Sequence, residues 1–111
     1  MNVELQIHPA AREELLATIR YYAAIDEGDQ GELAIAFQES FYRYADAITA
    51  QPRLHNLRRG LTRRVNLTPR FGEHYIAYMI WNEKVVILAV AHAKRRPYFW
   101  RMRIDEAKKM F

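Results

Sequence analysis

The side chains that could do chemistry are concentrated in the second half of the sequence, where cations stand beside one imidazole and one phenol. They are Arg63, Arg64, Arg70, His92, Lys94, Arg95, Arg96 and Tyr98. Metal-free RNA cleavage needs these types, because a base takes the 2′-hydroxyl proton, an acid protonates the leaving oxygen, and cations hold the phosphorane. The candidates for that reaction are His92, Tyr98, Arg64 and Arg70. Any phosphate-binding surface would contain similar residues, so the pattern permits a nuclease without specifying one.

Other chemistries lack the residues they need. The sequence has no Cys, and it contains no Walker loop, no GxGxxG and no HExxH pattern. Its four histidines, His8, His55, His74 and His92, do not share the spacing of metal ligands. We therefore expect neither a metal nor a cofactor. His92 also has a plainer interpretation, as a hydrogen-bonded residue at the end of a strand.

Charge divides the chain into two unlike halves. Residues 1–50 carry a net charge of −6 and residues 51–111 carry +10. A concentrated positive field attracts polyanions, meaning nucleic acid or an acidic protein segment. The alternative is a solvated surface balanced by the acidic half. The clustering of the cations with Tyr98, Phe99 and Trp100 favours a binding surface.

Hydrophobic periodicity predicts the elements that position these residues. Apolar and polar residues alternate in Val3 to Ile7, which indicates a strand, and Pro9 suits the first turn of a helix. Two sets of apolar residues then recur every three or four positions, which predicts two helices. They are Ala11, Leu15, Ile19 and Tyr22 in the first helix, and Leu33, Phe37, Phe41, Tyr44 and Ile48 in the second. A short link, Asp26 to Gly31, implies that the two helices form a hairpin, and Pro52 marks its end.

The remainder of the chain predicts three strands, at Leu61 to Leu67, His74 to Trp81 and Lys84 to His92, with Arg53 to Gly60 as a basic loop. A short helix is expected at "DEAKKM". The sequence thus predicts an α+β fold of order β-α-α-β-β-β in a single domain, residues 1–111, with residues 93–111 as a basic-aromatic C-terminal tail. The expected sheet is antiparallel, of about four strands in the order 1-2-3-4, with the helical hairpin packed on one face.

The last predicted strand is apolar on both sides, which a sheet covered on one face does not explain. Strict alternation puts Val86, Leu88 and Val90 on one face, and Val85, Ile87, Ala89 and Ala91 on the other. The surplus apolar surface predicts either a partner site or a tail that folds back over the sheet, and both alternatives stay open. The longest apolar run is too short to span a bilayer, and the N-terminus lacks a secretory pattern, so a cytoplasmic protein is expected.

Several segments resemble the RelE/ParE superfamily, the toxins of type II toxin–antitoxin (plasmid-stabilisation) modules. The resemblance covers roughly residues 3 to 100 and rests on the order and spacing of five segments. They are "IHPAAREELLATIRYY", "ITAQPRL", "RRVNL", "RFGEHYIAYMI" and "VVILAVAHAKRRPYFW". It implies a growth-inhibiting toxin neutralised by a small cognate antitoxin, in a hetero-oligomer, with no membrane partner.

The resemblance implies one of two activities. ParE-like members poison DNA gyrase, whereas RelE-like members cleave mRNA in the ribosome. The "AVAH-x-x-RR" close and the arginines in place of a lysine-dense middle are similar to ParE-like chains. The expected surface for target or antitoxin consists of Arg63, Arg64, Arg70, Lys94, Arg95, Arg96, Tyr98 and Trp100. The alternatives are the ribosome-dependent mRNA endonuclease and a non-toxic or degenerate nucleic-acid-binding module.

Overall fold

A computed structural model describes residues 3–25 and 31–111, which form an α+β fold of three helices and one five-stranded sheet. The elements are β1 (Glu4–Ile7), α1 (Pro9–Ile25), α2 (Glu32–Ala50), β2 (Leu57–Arg59), β3 (Thr62–Leu67), β4 (Phe71–Trp81), β5 (Lys84–His92) and α3 (Arg103–Met110). The α+β class, the two long helices and the tail helix are confirmed. The predicted link from Asp26 to Gly31 lies, except for Gly31, outside the described residues. In the parts of the chain that are described, no helix combines the length and hydropathy needed to cross a membrane.

The sheet order is β1-β5-β4-β3-β2, and β1 is parallel to β5 while the other neighbours are antiparallel. The predicted order 1-2-3-4, with every pair antiparallel, was therefore wrong. That order would leave β5 at an edge, with unpaired backbone groups along a strand that is buried from Val85 to Ala91. The structure instead gives β5 two neighbours. The edges are the short and more polar β1 and β2, and β2 lies in the segment predicted as a loop.

The start of α1 confirms the role predicted for Pro9, which is the first helical residue. His8 caps this helix, because its Nδ1 accepts a hydrogen bond from the N–H of Ala10 at 3.0 Å. The backbone N–H of His8 donates to the carbonyl of Ile87 at 2.9 Å, so the helix begins directly at the edge of the sheet. The Nε2 atom of His8 lies 3.0 Å from the Glu106 carboxylate, which links this end of α1 to α3.

One face of the sheet is covered by α1 and α2, as predicted. Ala11, Leu15, Phe37, Phe41 and Ile48 are buried there, and the other members of the two predicted stripes, Ile19, Tyr22, Leu33 and Tyr44, pack partly buried against them. The periodicity of the two helices therefore identified the residues that form this core.

A β-bulge in β5 changes which residues face the helices. Ala89 pairs with Ala77 and Ile87 pairs with Tyr78, so Leu88 is an extra residue between two paired positions. Leu88 and Ala89 both pack on the tail side of the sheet, and Val90 turns to the helix side. The alternation predicted for this strand holds through Leu88 and was wrong from Ala89 onward, because a bulge adds one residue to the period of two.

The second face of the sheet is covered by residues 98–111 of the tail. Trp100 and Ala107 are buried against Val86, Leu88, Ala89 and Ala91, and Tyr98, Phe99, Ile104 and Phe111 pack beside them. Val85 to Ala91 are at most 3% exposed. Of the two predicted alternatives the tail cover is correct, and the bare apolar strand is not available to a partner.

Candidate functional site

A cavity of about 220 Å³ opens between β3 and the tail, on the face of the sheet opposite α1 and α2. Its lining residues are Arg58, Thr62, Arg63, Arg64, Tyr75, Pro97, Tyr98 and Trp100. We call this the arginine cavity. Three aromatic residues, Tyr75, Tyr98 and Trp100, form part of its wall. Within the described part of the chain, no Asp or Glu lines it. A site of this composition suits an anionic ligand that also offers a flat or apolar group.

Cation–π contacts hold the guanidinium groups against these rings. The Cζ of Arg64 lies 3.8 Å from the centroid of the Tyr75 ring, and the Cζ of Arg59 lies 4.6 Å from that of Tyr98. The indole N–H of Trp100 donates to the hydroxyl oxygen of Tyr75 at 3.2 Å. Stacking on a ring fixes the plane of each guanidinium group, while the N–H groups at the edge of that plane can still donate hydrogen bonds. The arginines are therefore oriented before a ligand binds.

Arg63 and Arg64 are neighbours in sequence but have different roles. Adjacent residues of a strand point to opposite faces of the sheet. The guanidinium of Arg63 donates to the backbone carbonyls of His55 and Arg53, so it fixes the loop that precedes β2. Both residues line the arginine cavity, but the Arg64 guanidinium stacks on the Tyr75 ring and its Nε donates to the side-chain oxygen of Asn66 at 3.3 Å.

Glu14 of α1 holds the tail in the position that completes the cavity. Its carboxylate accepts two hydrogen bonds from Arg103, at 2.8 and 3.0 Å, and one from the backbone N–H of Val90 at 3.1 Å. Arg95 approaches the same carboxylate at 3.4 Å. Arg95 and Arg103 both contact the Phe99 ring, at 3.6 and 5.3 Å from its centroid. The segment that carries Tyr98 and Trp100 is thus tied to the rest of the fold on either side.

Tyr98 has a left-handed backbone, with φ of 59°. This conformation is unfavourable for a residue with a large side chain, and such residues occur more often at functional sites than elsewhere. The ring of Tyr98 packs 5.4 Å from that of Trp100. The left-handed backbone therefore occurs at a residue whose aromatic side chain lines the cavity.

His92 lies on the helix side of the sheet, away from Tyr98. Its ring packs 4.9 Å from that of His74, and it lines a second, open cavity of about 520 Å³ with Tyr21, Tyr22 and Lys94. The Nδ1 of His92 accepts from the backbone N–H of Lys94 at 3.0 Å, and its Nε2 lies 3.1 Å from Glu73. Both ring nitrogens therefore have partners within the protein.

Burial controls protonation beside His92. It lowers the pKa of His74, and the neighbouring His92 lowers it further, while the Glu73 carboxylate acts in the opposite direction. Burial likewise raises the pKa of Tyr22, whose hydroxyl lies 2.9 Å from His74 Nε2. This group is thus a hydrogen-bonded Tyr22–His74 pair next to a His92–Glu73 pair, on the side of the sheet that α1 covers.

The remaining predicted site residues are spread over the surface. Arg70 follows Pro69 in the turn before β4 and lies 5.6 Å from the Phe71 ring, on the helix side. Lys94 lines the cavity of His92, and Arg96 is exposed between Arg95 and Pro97. The candidate nuclease residues are consequently divided, because Arg64 and Tyr98 share the arginine cavity whereas His92 and Arg70 do not line it.

The sequence analysis missed Arg58, Thr62, Tyr75 and Pro97, which line the cavity, and Arg59, which stacks on Tyr98. Arg58 and Arg59 were assigned to a loop, and Tyr75 was treated only as a strand residue. Gly60, which has φ of 55°, was the available signal, because a glycine between two short polar runs is typical of a hairpin turn. Recognising that hairpin would have added β2 and placed its arginines beside Arg64. Among the described residues no group of three or more His, Asp or Glu side chains could hold a metal ion.

Comparison with known proteins agrees with this architecture. Residues 5–97 match the family described as the ParE toxin of the type II toxin-antitoxin system, parDE. A mutant of the E. coli toxin RelE in the free state superposes with a TM-score of 0.60 at 15% identity, with 100% of both chains covered. The isolated E. coli RelE toxin gives 0.57 at 16%, covering 98% of this chain and 99% of that one. A RelE mutant in complex with an antitoxin RelBc peptide gives 0.57 at 15%, covering 96% and 95%. No curated protein matches the chain.

Proposed function

The chain belongs to the ParE toxin family of type II toxin–antitoxin systems, and we propose that it inhibits growth by poisoning DNA gyrase and is neutralised by a cognate antitoxin. A gyrase poison stabilises a broken DNA–enzyme intermediate, and this requires a binding surface without chemistry of its own. The observation that carries the proposal is the arginine cavity, where Arg58 and Arg64 stand beside aromatic walls.

The composition of this surface suits an interface that contains both protein and DNA. Arg64 and Arg59 are already stacked on tyrosine rings, so they can reach phosphate or carboxylate oxygens with little further loss of side-chain entropy. Tyr98 and Trp100 add rigid aromatic area, which is common among the residues that dominate binding energy. Arg95 and Arg96, which directly precede Pro97 of the cavity lining, add positive charge that favours the encounter with DNA.

The position of His92 supports a binding mechanism over the nuclease alternative. General acid–base catalysis needs both groups within hydrogen-bond reach of one substrate. His92 lies on the helix side of the sheet with both ring nitrogens engaged, whereas Tyr98 lies in the arginine cavity. At 15–16% identity, the resemblance to RelE is a resemblance of fold, and it does not favour ribosomal cleavage.

An antitoxin partner is proposed from the family and from the charge of the surface. One structural relative, RelE, has been solved with an antitoxin peptide. The arginine cavity is lined by Arg58, Arg63 and Arg64 and by no acidic residue of the described chain, so an acidic segment would be attracted to the face that we propose contacts the target. Neutralisation would then follow from competition for the arginine cavity.

Purified gyrase tests the proposal directly. The wild-type protein is incubated with gyrase, supercoiled plasmid and ATP, and linear DNA is scored after detergent and protease. We expect linear product with the wild type and about tenfold less with Arg64→Ala, since interface arginines commonly contribute 1–2 kcal/mol or more. Arg43→Ala, which removes the same charge from the exposed surface of α2, is the matched control and should retain full activity.

Two outcomes would contradict the proposal. The absence of linear DNA with folded wild-type protein in large excess over gyrase would exclude gyrase poisoning. New mRNA ends at codons, mapped by primer extension after induction in cells, would instead establish ribosome-dependent cleavage. If neither activity and no growth arrest is found, the inert-module alternative is correct.

A further inference from the structure

Another cavity, of about 240 Å³, adjoins the arginine cavity, with which it shares lining residues that include Tyr98. Its lining residues are Arg59, Thr62, Tyr98, Trp100, Arg101 and Ile104. We call this the apolar cavity. Ile104 and the rings of Tyr98 and Trp100 provide its apolar surface, and the two arginines provide its only charged groups within the described chain. Neither the sequence patterns nor the proposed gyrase contact uses Arg101 or Ile104.

The two cavities share three lining residues, but the arginine cavity is mainly cationic and the apolar cavity presents mainly apolar surface. Thr62, Tyr98 and Trp100 line both of them, so a single ligand crossing Tyr98 would enter both. On one side it would meet the cations Arg58 and Arg64. On the other it would meet a recess of the size of one large apolar side chain. No carboxylate lines either cavity within the described residues, so their charge is not neutralised locally.

We propose that the apolar cavity is the anchor site for one aromatic or large aliphatic side chain of the neutralising protein partner, flanked by acidic residues that pair with Arg59, Arg101 and the arginine cavity. The proposal rests on the proposed neutralisation and names the chemistry of the segment that performs it. An apolar anchor in a desolvated pocket with a charged rim is the arrangement that gives protein interfaces most of their affinity. Occupation of this site would also cover Tyr98.

A peptide fits this recess better than a nucleic acid does. A nucleobase carries hydrogen-bonding groups along its edges, and the wall formed by Ile104 offers it neither a stacking ring nor a hydrogen-bond partner. An isolated apolar side chain loses no hydrogen bonds when it enters. The rim arginines serve either polymer, so the apolar wall is the feature that discriminates between them.

Three synthetic peptides test the proposal on the full chain by NMR. They are acetyl-Glu-Glu-Phe-Glu-Glu-amide, the same peptide with Ala in place of Phe, and the Phe peptide with Lys in place of every Glu. The reporters are the indole N–H signal of Trp100 and the methyl signals of Ile104. We expect the acidic Phe peptide to shift both signals and to bind about tenfold or more tightly than the Ala peptide, because one aromatic side chain is buried. The Lys peptide should not bind.

Two variants connect the binding to this cavity. Ile104→Ala should reduce the preference for Phe over Ala, and Arg101→Glu should weaken the acidic Phe peptide at least several-fold. Lys109→Glu makes the same change of charge on the exposed surface of α3 outside the cavity, and it is the matched control. Because Arg101 is exposed, its variant should keep the wild-type melting temperature, so weaker binding would not reflect misfolding.

Equal affinity for the Phe and Ala peptides, or unchanged Trp100 and Ile104 signals, would overturn the proposal. Shifts of these two signals by a thymidine hexanucleotide but not by the acidic Phe peptide would assign the cavity to nucleic acid instead. The gyrase assay is independent of these measurements. Peptide binding without linear DNA would contradict gyrase as the target but support the anchor site. Linear DNA without peptide binding would support gyrase as the target but contradict the anchor site.

Discussion

The two faces of the sheet are covered in different ways. On the helix face, α1 and α2 bring in large side chains such as Phe37, Phe41 and Ile48, all fully buried. On the tail face the cover is a short irregular segment and one helix of eight residues, whose buried side chains are Trp100 and Ala107. The first face is sealed by long regular elements, and the second is a thin layer fixed by arginines. The arginine cavity and the apolar cavity lie at the second face.

This difference separates stability from recognition. Burial of apolar surface is the main source of folding free energy, and it is not screened by ions as charge interactions are. The tail buries fewer large side chains, chiefly Trp100, and it is also held by the Glu14–Arg103 pair and by arginines stacked on the Phe99 ring. The tail face, which presents the cationic groups, is therefore also the face that contributes less apolar burial. Substitutions on the two faces should separate stability from activity accordingly.

The largest expected effect is the loss of stability in Phe37→Ala. Phe37 is fully buried, and its ring lies 5.1–5.4 Å from those of His74, Phe71 and Tyr22. Removing it leaves a cavity that costs about 3–5 kcal/mol, measured as the free energy of unfolding in urea. Ile35→Ala, on the exposed side of the same helix, should cost less than about 0.5 kcal/mol. A loss below about 1.5 kcal/mol for Phe37→Ala would mean that the helix face is not the principal core.

The next effect concerns the attachment of the tail. Arg103→Ala leaves the Glu14 carboxylate, whose side chain is 15% exposed, without its bidentate partner. We expect a loss of about 3 kcal/mol, the lower end of the range for breaking a buried pair. Arg101→Ala, on an exposed residue of the same segment, should change the unfolding free energy by less than about 0.5 kcal/mol. Equal losses for the two variants would show that Glu14 does not clamp the tail.

A smaller loss of stability with a larger loss of function is expected from Trp100→Phe. The variant keeps an aromatic ring but removes the hydrogen bond to Tyr75, which is worth about 1 kcal/mol. Because Trp100 lines both cavities, linear DNA in the gyrase assay should fall about tenfold, which corresponds to 1.4 kcal/mol of binding. Full activity in this variant would mean that the tail face does not contact the target.

The helix face was the more predictable of the two from sequence. The spacing of Leu33, Phe37 and Phe41 is a local signal, since residues three or four apart meet on one side of a helix. The sheet order was not available in this way. It depends on β1 pairing with β5 about eighty residues later, and no local period records a long-range pairing. The bulge at Leu88 was equally hidden, because an inserted residue in an apolar run leaves the composition unchanged.

The candidate site was predictable in composition but not in arrangement. The sequence placed Arg64, Tyr98 and Trp100 on one surface, and the structure puts them around one cavity. It could not separate Arg63 from Arg64 by role, because that depends on which carbonyls lie beneath Arg63. The expectation that His92 and Tyr98 could act together followed from their chemical types, an imidazole and a phenol among cations. The bulge is the physical reason that they lie on different faces.

The smallest expected effect is the pH dependence that His74 gives to the helix face. Burial, reinforced by His92, lowers the pKa of His74 in the folded protein. The unfolded chain therefore binds a proton first as the pH falls through about 6.5, and stability decreases below that pH, by at most about 1.4 kcal/mol per pH unit for one proton. Unfolding free energies measured from pH 7.5 to 5 should show this slope in the wild type and a shallower one in His74→Gln. His55→Gln, outside the buried pair, should retain the wild-type slope. An unchanged slope in His74→Gln would mean that this histidine binds protons equally in the folded and unfolded states, and that burial does not lower its pKa.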